Sequence, residues 1–108
     1  MRNRIFVTAG QSFEKGLAAY EEGNFHQAVK KFTKAIELEP NYAEAYLYRG
    51  KAKSELHKFT EAIEDYDIAI KIYAETIKDD KDDNKNHAYA EAYCHRGIAN
   101  MMCYRFDS

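Results

Sequence analysis

Two stretches of this chain share a pattern of apolar and small residues when one is shifted by 34 positions. Gly16 falls on Gly50, Phe25 on Phe59, Ala28 on Ala62, Phe32 on Tyr66, Ala35 on Ala69 and Ile36 on Ile70. A second correspondence starts from the pentapeptide YAEAY, found at 42–46 and again at 89–93. At that offset of 47, Tyr46, Arg49, Gly50, Ala52 and Phe59 recur as Tyr93, Arg96, Gly97, Ala99 and Phe106. Recurrence of this kind restricts the chain to units that stack on their neighbours, because one short unit cannot bury its own apolar face. Two whole units and about half of a third are present.

Each unit reads as two helices. The first runs from about Ala9 to Glu22, opened by Thr8 and Gln11 as a capping box and closed by Gly23 in a left-handed turn. Asn24 is then placed to cap the second helix. In that helix Phe25, Ala28, Val29, Phe32, Ala35 and Ile36 keep the 3-4-3-4 spacing of one buried stripe. Pro40 stops it. Gly16 and Gly50 fall in helix interiors, where glycine costs about 1 kcal/mol relative to alanine. Close helix approach explains them, with each glycine expected to nest against the alanines of its partner helix.

The 47-residue offset exceeds the repeat by 13 residues, lying between Ile72 and Tyr89. Ile63, Tyr66, Ile70, Tyr73 and Ile77 extend the helical spacing, so the second helix of unit two is expected to reach about Lys78. A polar loop, DDKDDNKN, follows, and Asn86 is placed to cap the last helix. Asp80, Asp82, Asn84 and Glu91 fit part of a calcium-loop register, but Lys85 stands where such loops need glycine. A solvated charged turn is the better reading.

Composition closes off several functions. Charged residues are 31% of the 108, yet the net charge is only −2, so no pull toward nucleic acid or anionic membrane is expected. No apolar run approaches a membrane span, and IFV is too short for a secretory core. Cys94 and Cys103, nine apart on one helix, face opposite sides and suit free thiols in a reducing, cytoplasmic setting. The four histidines show no metal-ligand spacing, Cys94–His95 is poorly arranged for nucleophilic catalysis, and no glycine loop for phosphate is present. No enzyme activity and no cofactor are expected.

The shared period, with Gly16, Ala28, Phe32, Ala35 and Pro40 in unit one and Tyr46, Gly50, Ala62, Tyr66 and Ala69 in unit two, resembles the tetratricopeptide repeat. Unit three supplies Tyr93 and Gly97. The resemblance implies an all-α fold: a right-handed superhelix of stacked helix–turn–helix repeats, here about two and a half repeats in five helices. It divides the chain into an extension at 1–8, repeats at 9–42 and 43–89 (with an insertion at about 74–88), and a truncated repeat at 90–108.

The resemblance also implies a protein-interaction module whose first helices line a concave groove. Residues matching groove positions include Phe13, Leu17, Tyr20, Leu47, Lys51, Ile98 and Met101, mostly apolar, which suits an apolar peptide or amphipathic helix of another protein. A subclass that binds chaperone C-terminal tails uses a clamp of Lys, Asn and Arg; the matching positions are Phe13, Leu17, Tyr48, Glu91 and His95, and all five depart. No clamp is therefore expected. Alternatives are a self-association or structural segment of a longer scaffold, as a homodimer or helix swap, or a groove filled by the chain's own RIFV segment.

Overall fold

The computed structural model describes residues 7–76 and 83–107, and only the backbone of 83–85, 106 and 107. Five helices follow in order: α1 (Ala9–Glu21), α2 (Phe25–Leu38), α3 (Ala43–Glu55), α4 (Phe59–Thr76) and α5 (Asp83–Asp107). Each packs chiefly on its neighbours in sequence. The molecule is accordingly an elongated slab of 58 × 35 × 20 Å.

The capping box forms as the sequence predicts. Thr8 Oγ1 accepts from the Gln11 amide at 3.1 Å, and Gln11 Oε1 accepts from the Thr8 amide at 3.0 Å. Gly23 turns the chain with φ 82°. At the equivalent point of the second hairpin His57 takes φ 64°, a conformation in which histidine is enriched among non-glycine residues. Asn24 precedes α2 but its side chain makes no capping bond. Its amide instead closes the turn onto the Ala19 carbonyl at 2.8 Å.

Two further departures concern α5. Asn86 does not cap α5, which starts earlier, at Asp83; an acidic residue suits a helix N-terminus electrostatically. Phe106 matches Phe25 and Phe59, which open second helices, but no turn precedes it. Tyr104 stands at the place of Gly23 and His57, and α5 runs straight through it to Asp107. A tyrosine in the left-handed region would cost about 1–2 kcal/mol. The extension of α4 is described as far as Thr76, and Ile77 and Lys78 lie outside the described residues, as do Asp80 and Asp82. Of the RIFV segment only Val7 is described, and it is exposed.

Glycine sets the helix spacing, but against rings rather than alanines. A Cβ on Gly16 would lie 2.5 Å from Phe32 Cε1, and one on Gly50 would lie 2.6 Å from Tyr66 Cε1. Ala28, Ala35, Ala62 and Ala69 are fully buried beside these rings. The core falls into two clusters. One joins Ala19, Ala28, Phe32 and Ala52; the other joins Leu47, Tyr66, Ile70, Tyr73, Ala92 and Ala99, with Tyr48 packed against both.

Candidate functional site

The first helix of each repeat contributes to one hollow of about 330 Å³. Tyr20 comes from α1, Lys51 and Ser54 from α3, and His95, Ile98 and Met102 from α5, with the Tyr66 ring of α4 as part of the floor. Ser54 Oγ and Tyr66 Oη share a hydrogen bond of 3.1 Å. His95 stacks on Tyr66 with ring centroids 6.0 Å apart.

Lys51 is the organising charge. Its Nζ donates to Glu91 Oε2 at 2.9 Å, spanning α3 to α5. The same ammonium lies 4.4 Å from the Tyr48 ring centroid and 5.9 Å from that of Tyr20, close enough for cation–π attraction. His95 Nε2 sits 3.6 Å from Glu91, one helical turn away. Burial raises the pKa of Glu91, but the Lys51 hydrogen bond and charge, with His95, bring it below the ordinary carboxylate value. Burial, then the Lys51 charge, push His95 below the usual histidine value, against the opposite pull of Glu91. Burial pushes Tyr66 up to about 12, so its hydroxyl stays a neutral hydrogen-bonding group.

The groove residues read from sequence fall into three places. Tyr20, Lys51 and Ile98 meet in the hollow, where Ile98 remains 50% exposed. Phe13 and Leu17 pack on the first core cluster, and Phe13 meets the rings of Phe32, Tyr42 and Tyr48 at 5.6, 5.1 and 5.7 Å. Leu47 is only 1% exposed and belongs to the second cluster, so it cannot touch a ligand. Met101 is 71% exposed and faces a separate shallow depression with Asn100, Tyr104 and Arg105. Its repeat equivalents, Tyr20 and Ser54, line the hollow because a following repeat walls them in; among the described residues none follows α5.

The sequence marks Tyr48 and His95 only as departed clamp positions, not as members of the hollow. The i,i+4 spacing of Glu91 and His95 was the available signal for their pairing. Among the described residues no three His, Cys, Asp or Glu side chains converge as a metal site. Nor is any helix long and apolar enough to cross a membrane. Cys94 and Cys103 are not in a disulfide.

Comparison with known proteins accords with this geometry. A family model described as TPR repeat matches residues 16–56. The mouse DnaJ homolog subfamily C member 7 is 32% identical over 98 residues, covering 87% of this chain and 17% of that protein. The human small glutamine-rich tetratricopeptide repeat-containing protein beta is 42% identical over 57 residues, covering 53% of this chain and 19% of that protein. The chain thus spans less than a fifth of these relatives. The solved crystal structure of MamA protein shares the fold at a TM-score of 0.63 and 23% identity, over 94% of this chain and 52% of that one. Stacked helical hairpins with a ring seated on a mid-helix glycine, together with these matches, place the chain among the tetratricopeptide-repeat proteins, a family of protein-binding modules.

Proposed function

We propose that the concave hollow holds an apolar peptide or amphipathic helix of a partner protein, and that it does so without a carboxylate clamp. The observation that carries this reading is the state of Lys51. It is the cation of the hollow, and it is already bound to Glu91 and flanked by two tyrosine rings. At the five clamp positions stand two aromatic rings, a leucine, a histidine and the Glu91 carboxylate, none of which pairs with a terminal carboxylate as lysine or arginine does. The open apolar lining is Tyr20, Ile98 and Met102, with the exposed Glu55 and His57 at the margin, and methionine adapts to varied apolar surfaces.

The name of another relative, Hsp70-Hsp90 organizing protein 1 of Arabidopsis thaliana, 37% identical over 57 residues, suggests chaperones as partners. Chaperone binding here would have to use a segment other than an acidic tail. The module acts in this reading as a binding surface and not as an enzyme, in the cytoplasm. Calorimetric titration with an EEVD-ended peptide tests the clamp-free reading: no binding at micromolar concentration is expected, and micromolar binding overturns it. Ile98→Glu, at a half-exposed position, should abolish capture of an apolar partner while leaving the melting profile of the chain close to wild type.

A further inference from the structure

One face of α5 has no helix against it among the described residues. Tyr93, Gly97, Met101 and Tyr104 form a stripe at 4-4-3 spacing, all exposed, which is one side of a helix. The corresponding faces of α1 and α3 lie under α2 and α4, with Gly16 beneath Phe32 and Gly50 beneath Tyr66. A Cβ on Gly97 would meet nothing within 4 Å. Two turns further on, Tyr104 stands 81% exposed. It reaches that position only because α5 continues where the earlier hairpins turn.

We propose that this face is an isologous dimer interface, in which α5 packs antiparallel on α5 of a second copy. Glycine hole and tyrosine knob lie on one stripe, so a twofold axis between Asn100 and Met101 seats Tyr104 of each copy over Gly97 of the other. An isologous contact has this reciprocity by symmetry. The arrangement repeats in trans what Gly50 and Tyr66 make within the chain: two antiparallel helices with a tyrosine ring on a glycine. The same axis brings Met101 against Met101 and leaves Asn100 near Asn100, where a polar pair fixes register.

Charge and size point the same way. The stripe itself carries no charge in a chain that is 31% charged. Arg96 at its edge is neutralised by Asp67 at 2.8 Å, and Arg105 lies at the margin beside Tyr104. A tyrosine carries about 150–250 Å², so Tyr104, Met101 and the open part of Tyr93 offer on the order of 400 Å² per copy, against about 800 Å² per partner in a standard interface. That is the scale of a concentration-dependent pair rather than a permanent one.

Sedimentation velocity from low micromolar to millimolar concentration tests the pairing. The wild-type chain should move from monomer toward dimer across that range. Gly97→Leu should fill the hole and Tyr104→Ser should remove the knob, each weakening the dimer by about tenfold or more. Gly97→Leu should at the same time raise the melting temperature, since leucine forms helix better than glycine, which separates loss of the interface from loss of the fold. Tyr20→Ala, in the hollow, should leave the dimer unchanged. A wild-type chain that stays monomeric at the highest concentration overturns the proposal and leaves the face to another protein or another helix. A dimer that survives both α5 substitutions, or that Tyr20→Ala dissolves, overturns it equally.

Discussion

The ring of Tyr66 lies directly on the backbone of Gly50, with no room for a single methyl group between them. Phe32 lies on Gly16 in the same way, 34 residues earlier. Both rings are buried, Phe32 fully and Tyr66 to within 1%.

Gly16→Ala and Gly50→Ala should therefore each destabilise the fold, by about 1–3 kcal/mol for overpacking, less the ~1 kcal/mol that alanine returns as helix propensity. Gly97→Ala meets no such ring and should stabilise by roughly 1 kcal/mol. Urea unfolding of the three variants reads the signs. Stabilisation by Gly50→Ala would show that the ring contact does not set the helix spacing.

Asp65 is a buried carboxylate held by Arg49 Nε and Nη2 at 2.9 and 2.7 Å, with Lys53 Nζ at 3.2 Å. Arg49 Nη1 also donates to Thr33 Oγ1 at 3.2 Å, tying α2 to the second hairpin. Removing one partner strands a buried charge, at about 3–5 kcal/mol. Arg49→Met should fall at or below the lower end of that range, because Lys53 remains. The paired change Arg49→Met with Asp65→Leu should cost clearly less than the two single changes added together, as a double-mutant cycle in denaturant will report.

Acid should loosen the concave side in two steps. The fold holds His95 below its ordinary pKa, so the unfolded chain binds more protons there, and stability declines as pH falls through about 6.5. Glu91 is held below its usual 4.5, so its stabilisation is present above that value and is lost as pH falls through its lower folded value. Melting temperature against pH should show both declines. His95→Gln should flatten the upper one and Glu91→Gln the lower; a profile left unchanged by His95→Gln would disprove the assignment.

Tyr73 is buried on α4, and its hydroxyl has no hydrogen-bond partner among the described residues. A polar group in that state opposes folding by about 1–3 kcal/mol. Tyr73→Phe keeps the ring and should be neutral or stabilising by up to about 1 kcal/mol. A loss of more than that on thermal unfolding would reveal a bound water or partner at the hydroxyl.

The fold was legible because spacing and period report on backbone geometry. Gly16, Gly50, Thr8–Gln11 and Gly23 each announce a helix contact, a cap or a turn through chemistry carried by one or two residues. Where prediction failed, a non-local competitor decided. Leu47 matches a groove position by pattern, but α4 and α5 close over it. Lys51 matches a groove position too, but Glu91, 40 residues away, takes its ammonium. Met101 matches Tyr20 and Ser54 in register, yet a groove position needs a neighbour on each side, and among the described residues α5 has one on a single side. His57 in the left-handed turn carries a much weaker signal than glycine, being only enriched there among non-glycine residues.

The division of the interior into two clusters bears on how the chain comes apart. The first hairpin is held to the rest through Tyr42, Tyr48, Arg49, Lys51 and Ala52 and the α2–α3 packing. In such a stack cooperativity is a matter of the seam between units, not of the total buried area. The α1–α2 hairpin can open while α3, α4 and α5 stay assembled, so its amides should exchange with solvent through a lower free-energy opening than those of α4. Loosening the seam at Tyr48 would widen that difference and split one unfolding transition into two.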